Sequence, residues 1–467
     1  MGLVGSAKAQ AKELARQVVA ATAPPREGLA PSTWGLSRAA NGSLVWEGVA
    51  LESLVKEHGS PLHVVNWRKL EVNARAFMAT PSGTSAGCEV YASYKTNPVP
   101  KVLKALHDFG FGAEVISAYE YWLARKLGMP HERIIYNGPV KSRASVEDAV
   151  KGGVGLLGAN HAEELDVFAQ VAQAAGKRPR VAVRVAPPAG WSAQFGAPMS
   201  SGAALSAVEK ALSLSAQLDV VGLHAHRGGM IRSEDALVEF VDAVLAFTEV
   251  VADKTGHVFS VLDFGGSLGS PTVEHLSAVD LRLNRTLFRD LPAPDTGLSI
   301  DRYLQVLVTH VEAHFSRKGW ARPRLVIEPG RAVTSNAQLL LTSVHTLKND
   351  GDRPYAILDA GINHAESVRS EYHQLLRVSA PRPNAASHIY SVVGPICTPG
   401  DWLYHAQRLE ELVPGDVLAI MDSGAYFVPF ATSFSYPQPA IVAVAGGRVT
   451  TVRRAETFED LIVGDGL

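Results

Sequence analysis

From about residue 60 to residue 335, short apolar runs recur between longer segments of helical period. The runs Leu62–Val65, Glu89–Ser93, Gly112–Ile116, Arg133–Tyr136, Gly155–Leu157, Arg180–Val185, Val220–His224, Val258–Phe264 and Leu325–Glu328 predict strands. The stretches Val99–Asp108, Ala118–Lys126, His161–Ala175 and Glu234–Lys254 predict helices. Strands apolar on both sides and spaced by helices are the pattern of a parallel sheet. Eight or so such units favour a closed TIM-like (β/α)8 barrel over an open doubly wound sheet. The stretch between Gly269 and Leu325 is longer than one crossover needs and holds Pro292 and Pro294, which predicts an insertion.

After residue 335 the pattern turns β-rich. Leu339–Leu347, Ala356–Asp359, His388–Val393, Val417–Met421, Ala440–Ala445 and Arg448–Arg453 predict strands, with turns at Asp350-Gly351, Pro414-Gly415 and Gly446-Gly447. The expected organisation is an α/β chain with three parts. Residues 1–60 form an N-terminal arm and first strands packing on the β domain. Residues 61–335 form the barrel, and 336–467 an antiparallel β-barrel or sandwich.

The chain has 467 residues, 46% of them hydrophobic, enough for a large interior. Lys plus Arg (44) nearly balance Asp plus Glu (46), so bulk charge implies no nucleic-acid or polyanion partner. The two cysteines, Cys88 and Cys397, exclude a disulfide framework and a zinc ribbon. Lys8, Lys12, Glu13 and Arg16 interrupt the start where a secretory segment needs an apolar run, so it reads as an amphipathic helix ending at Pro24-Pro25. No run approaches ~18 apolar residues. These features predict a cytoplasmic protein with no membrane segment.

Barrels of this kind react at the C-terminal ends of their strands. Lys95 follows the run Glu89–Tyr94. A lysine desolvated at a barrel mouth has a lowered pKa and a neutral amine available for a Schiff base; a plain surface-loop lysine is the alternative. His224 and His226 face one side of a strand end, where an imidazole can stack on a flat ring, bind a metal, or simply sit hydrogen-bonded in the core. Asp263-Phe-Gly-Gly-Ser-Leu-Gly is a glycine-rich turn whose N–H groups can cradle a phosphate. Glu328-Pro-Gly-Arg331 offers an acid for a ring nitrogen and an arginine for an anion, or an ordinary ion pair. In the β-rich part, Gly394-Pro-Ile-Cys397-Thr-Pro-Gly-Asp401 places a thiol in a loop, and Gly424-Ala-Tyr426 adds a phenol.

These motifs, with Asp359-Ala-Gly361, occur in one order from about Pro61 to the C-terminus. Together they resemble the fold-type III pyridoxal-phosphate decarboxylases, the group of diaminopimelate and ornithine decarboxylases. The resemblance implies pyridoxal 5'-phosphate as cofactor, an amino-acid substrate and a homodimer with shared active sites. Lys95 is similar to the family's Schiff-base lysine and His226 to the imidazole stacked on the cofactor. Gly265, Gly266 and Ser267 resemble the phosphate cradle, with Gly330, Arg331 and Tyr426 beside it. Glu328 resembles the acid on the pyridine nitrogen, and Glu114 and Arg184 residues lining the pocket. Cys397 corresponds to a thiol that reaches into the partner's site and reprotonates the carbanion.

Three departures qualify the resemblance. Thr398 stands where the diaminopimelate enzymes have Glu and the ornithine enzymes Asp, the acid that recognises the substrate's distal ammonium. A threonine cannot neutralise a buried cation. The expectation is therefore a non-standard substrate, as in secondary metabolism. Gly229 occupies the usual position of a serine that contacts phosphate. Arg369 and Tyr372 match the family's substrate-carboxylate segment only with a shift of a residue or two; with Arg331, Thr398 and Tyr426 they form the expected substrate-binding set. Three other readings stay open: a racemase on the same fold, a metal-dependent barrel hydrolase using His224 and His226, and a non-catalytic binding protein.

Overall fold

The structure, a computed structural model, describes residues 11–19, 25–190, 194–295, 297–349 and 353–466. It divides into two compact units. One comprises Glu71–Pro271 and Gly297–Thr334; the other comprises Met1–Leu70, Thr272–Thr296 and Ser335–Leu467.

The first unit is a closed parallel barrel. Its strands are β1 (Glu89–Ser93), β2 (Gly112–Val115), β3 (Ile134–Tyr136), β4 (Leu156–Ala159), β5 (Arg180–Ala186), β6 (Asp219–Ala225), β7 (Val261–Asp263) and β8 (Arg324–Ile327). Each pairs in parallel with the next, β8 pairs with β1, and the ring is complete. The barrel interior is plugged by a layer containing Tyr91, Ile135, Leu156, Ala182, Val261 and Val326. Side chains alternate along a strand. Two residues further on, the same inward direction is therefore taken by Ser93, Asn137, Arg184, Asp263 and Glu328. The apolar plug thus forms the floor of a polar ring at the C-terminal mouth.

The second unit holds a mixed sheet of nine strands, ordered Trp402–Glu410, Ser387–Val393, Pro354–Leu358, Gln338–Asn349, Leu62–Asn66, Ala440–Ala445 and Arg448–Arg453. Val417–Ile420 also pairs with Gln338–Asn349 and carries Leu375–Arg377 on its other side. Leu339 and Leu341 enter one apolar cluster with Trp34 and Trp46, whereas Leu340 and Val344 enter another with Tyr390 and Phe427. Both sheet faces are covered there, so the strand carries the continuous apolar run Leu339–Leu341. The buried Asp422 accepts from Trp34 Nε1 (3.0 Å) and Thr272 Oγ1 (2.6 Å), joining three distant chain segments.

Several strands depart from the sequence expectation. Leu62–Asn66, expected within the run of barrel strands, pairs antiparallel with Gln338–Asn349 and parallel with Ala440–Ala445. Its five buried residues resemble a barrel strand in composition, and only the pairing separates the two cases. The β domain is mostly antiparallel, with a second parallel pairing between Pro354–Leu358 and Ser387–Val393. Trp402–Glu410 was not predicted, because His405, Gln407 and Arg408 dilute its apolar signal. The predicted insertion is present: Thr272–Thr296 counts with the second unit and carries the helix Ala278–Leu287. Of the predicted N-terminal helix, residues 11–19 are helical, and its predicted end at Pro24 lies outside the described residues.

Candidate active site

Lys95 lies in the short turn Tyr94–Thr96 that follows β1. Its Nζ donates to Ser93 Oγ and to Glu114 Oε2, both at 2.7 Å. Ser93 Oγ in turn donates to the same Glu114 oxygen at 2.8 Å. Ser93 and Glu114 are direct partners across β1 and β2, so the barrel register itself builds this triangle. On the opposite wall, Arg184, His224 and Asp263 occupy one row across β5, β6 and β7.

Glu328, immediately after β8, is buried and accepts from Asn137 Nδ2 at 2.6 Å. Burial pushes its carboxyl well above the usual range; nearby Asp263 and Glu114 push it further, and Lys95 opposes them. Asp263 shares a hydrogen bond with Glu328 and is raised to about 6, chiefly by burial. Its Oδ2 finds no donor among the described hydrogen-bonding groups. A proton retained on Glu328 and aimed at Asp263 explains both observations. Glu120, raised to about 7 by burial and by Glu114, adds to the excess of carboxyls.

His226 Nδ1 accepts from the Gly266 N–H at 3.3 Å. Burial, Lys95 and Arg184 hold His226 well below the usual imidazole range, so its ring is neutral at physiological pH. His224 is depressed likewise, first by burial and then by Arg184. Both of its ring nitrogens are buried and lack a hydrogen-bond partner among the described residues. The glycine-rich turn explains why glycine is needed here. Gly265 has φ +62°, and a Cβ on it would meet His226 Nδ1 at 2.2 Å. A Cβ on Gly266 would lie 1.8 Å from the Glu328 carbonyl oxygen. The Gly265 and Gly266 N–H groups donate to Asp263 Oδ1 (2.9 Å) and His226 Nδ1 (3.3 Å). Ser267 Oγ accepts from Gly228 N–H at 3.1 Å. Gly229 is exposed with φ +66°, and Gly330 precedes the short helix that Arg331 opens.

Thus Lys95, Glu114, Arg184, His226 and Glu328 converge at the barrel mouth as expected. Asn137, Ser93 and Glu120 belong with them and were missed. Asn137 was findable as the first polar residue after the run Arg133–Tyr136. His224, His226 and Glu328 also place ligand atoms within 4.8 Å of one another, the spacing behind the metal-hydrolase alternative.

The remaining candidates lie in the second unit. Cys397 is exposed. Thr398 sits in a tight turn, its N–H on the Ile396 carbonyl at 2.8 Å. The loop's one acid, Asp401, is buried and accepts from the N–H groups of Ile362 (2.8 Å) and Ile396 (3.0 Å). Arg369 lies 3.7 Å from Glu366. Tyr372 is buried and its hydroxyl donates to Gln374 Oε1. Tyr426 has φ +69° and stacks on Phe430 at 5.7 Å.

Residues 76–335 match the family model of the pyridoxal-binding domain of pyridoxal-dependent decarboxylases. The diaminopimelate decarboxylase of Aquifex aeolicus is 30% identical over 90% of this chain and 95% of its own length. The L-glutamyl-[BtrI acyl-carrier protein] decarboxylase of Niallia circulans is 26% identical over 88% of this chain and 95% of its own. In fold, the structure of diaminopimelate decarboxylase from M. jannaschii in complex with L-lysine superposes with a TM-score of 0.80 at 24% identity, covering 92% of this chain and 97% of that one.

Proposed function

The chain belongs to the pyridoxal-dependent decarboxylases, and from that premise we propose that it decarboxylates an amino acid whose distal end is not a free cation. As a member it is a pyridoxal-phosphate-dependent carboxy-lyase of the diaminopimelate and ornithine type, acting on an amino acid.

The barrel mouth suits this cofactor. Three buried carboxyls, with Glu328 held well above the usual range and Asp263 also raised, call for a buried cation bearing an N–H, which a protonated pyridine provides. Lys95 would hold the cofactor covalently, Glu328 its ring nitrogen, the neutral His226 its ring face, and Arg184 and Glu114 the pocket wall. Gly229, Gly265, Gly266, Ser267, Gly330, Arg331 and Tyr426 form the proposed phosphate-side set. When bound, the cofactor supplies a protonated ring that accepts the electrons left as CO2 departs. Glu328, positioned by the Asn137 amide at 2.6 Å, would hold the proton at the ring nitrogen. Glu114 Oε2 and Ser93 Oγ fix Lys95 Nζ and give it a route for exchanging a proton. The exposed Cys397 thiol would deliver the final proton to the substrate carbon in the partner's site of a homodimer. Arg331, Arg369, Tyr372, Thr398 and Tyr426 remain the proposed substrate-binding set.

Substrate choice is carried by one observation: the loop after Cys397 has Thr398 in place of an acid, and its only carboxylate, Asp401, is committed to two backbone N–H groups. A distal ammonium there would lose its solvation without a counter-charge, at a cost of several kcal/mol. The relative named for a glutamyl group on a carrier protein supports a substrate outside the diaminopimelate and ornithine pair. A pathway of secondary metabolism fits this reading.

The test is CO2 release from diaminopimelate, ornithine, lysine, glutamate and N-acylated ornithine by the wild type and Thr398→Glu. The wild type should prefer a substrate without distal ammonium, and Thr398→Glu should raise kcat/KM for diaminopimelate at least about tenfold. A wild type that turns over diaminopimelate or ornithine more efficiently than the neutral and acidic substrates contradicts the proposal.

A further inference from the structure

The chain carries almost no net charge, yet one side of its second unit gathers arginines. A cavity of about 820 Å3 is lined by Arg16, Arg26, Arg289, Arg353 and Arg408, with two carboxylates, Glu13 and Asp290, among the described residues. Both acids are already engaged. Glu13 accepts from Arg16 at 3.4 Å, and Asp290 accepts from Arg408 Nε at 3.4 Å and from the Arg26 backbone N–H at 3.2 Å. Arg16 and Arg353 also line an adjoining cavity of about 330 Å3 with Lys12 and Arg285, and no carboxylate lines that one among the described residues.

The arginines are built into place. Phe288 ends the helix Ala278–Leu287 in the left-handed region, φ +60°. An L-residue there costs about 1 kcal/mol. The conformation puts its ring between two guanidiniums, Arg16 at 3.7 Å and Arg353 at 4.4 Å from the ring centre. Arg16 is further fixed by the Thr286 carbonyl at 3.2 Å, and Arg353 by Ser391 Oγ. Buried Asn284 anchors the segment by donating to the carbonyls of Arg289 (2.9 Å) and Ala406 (2.8 Å).

A second observation points to a missing acceptor. Arg289 Nε is buried in the cavity wall and has no hydrogen-bond partner among the described residues. Arg26 Nη1 is buried too, and its nearest acid, Asp280, is 3.9 Å away. His405, in the adjoining cavity, is lowered to about 4 by burial and then by Arg285, Arg353 and Arg369. The local field is positive, and the histidine answers by staying neutral.

We propose that this arginine basin, made by the helix over 11–19, the insertion Thr272–Thr296 and the sheet edge, binds a phosphorylated small molecule with at least two negative charges. Guanidiniums present paired N–H donors that match phosphate oxygens two at a time, and several of them converge here. The volume suits a metabolite rather than a single ion. The site is independent of the substrate reading above, since none of its residues belongs to the catalytic set.

The test uses the cofactor-loaded protein, titrated calorimetrically at low ionic strength with pyrophosphate and, separately, with citrate. Pyrophosphate should bind. Arg289→Glu should weaken it at least tenfold, and Phe288→Gly, which suits the left-handed backbone but removes the ring between the arginines, should weaken it severalfold. Both variants should keep the wild-type visible cofactor absorbance, which shows that they fold. No heat with pyrophosphate in the wild type overturns the proposal, as does unchanged affinity in Arg289→Glu. Tighter binding of citrate than of pyrophosphate overturns the assignment to phosphate.

Discussion

Glu328 is an acid that the barrel buries among other acids, and this sets two measurable properties. Its carboxyl and that of Asp263 hold their protons to higher pH in the folded chain than in the unfolded one. In the cofactor-free fold these two groups therefore contribute stability that is present below about pH 4 and is lost as pH rises through about 6 and beyond. Glu328→Gln removes one of these groups. The cofactor-free variant should melt higher than wild type at about pH 8 and show a flatter pH dependence. Loaded with cofactor, the same variant should lose about a hundredfold or more in kcat, because the ring nitrogen lacks its acid. A Glu328→Gln variant with wild-type kcat, or one less stable than wild type at high pH, contradicts this role. At this scale the sequence was legible where residues carry charge and recur in motifs: Lys95, Glu114, Arg184, His226 and Glu328 all reach the mouth. Ser93 was not, because a hydroxyl gains meaning only from the carboxylate that folding places 2.8 Å away, and Asn137 could be read as a strand-end polar residue but not as the partner of Glu328.

At the scale of elements, the barrel strands follow from apolar runs, and the site follows from alternation: two residues beyond five of the six plug residues stands a polar one, and beyond Leu156 stands Gly158. The turn after β7 shows how tightly these elements are joined. Gly266 faces the Glu328 carbonyl so closely that no side chain fits, and Glu328 N–H donates to the Gly265 carbonyl at 2.9 Å. Gly266→Ala must push the ends of β7 and β8 apart. It should cost about 1–3 kcal/mol in urea unfolding and weaken cofactor affinity at least about tenfold. An alanine variant with wild-type stability and affinity contradicts this packing. What pattern could not supply was partnership. Leu62–Asn66 is as apolar as a barrel strand, and its place between Gln338–Asn349 and Ala440–Ala445 depends on contacts with residues hundreds of positions away. The insertion was visible as excess length, but not the arginines it assembles with chain from both ends.

At the scale of the whole molecule, sequence order and spatial units part company: the β-rich unit is made of three separate segments that bracket and interrupt the barrel. Near-zero net charge likewise hides two opposite concentrations, carboxyls at the barrel mouth and guanidiniums in the second unit. Bulk composition therefore excluded less than it first suggested. The central claim is that the barrel mouth binds pyridoxal phosphate through Lys95 and uses it to release CO2 from an amino acid. Its most direct test is the visible absorbance of the purified protein, recorded for the wild type and for Lys95→Ala and followed by CO2 release on the same samples. The wild type should be coloured and release CO2, and the Lys95→Ala variant should lose both the covalent band and the activity. A wild type that stays colourless after incubation with pyridoxal phosphate, or a Lys95→Ala variant that keeps band and turnover, would contradict it.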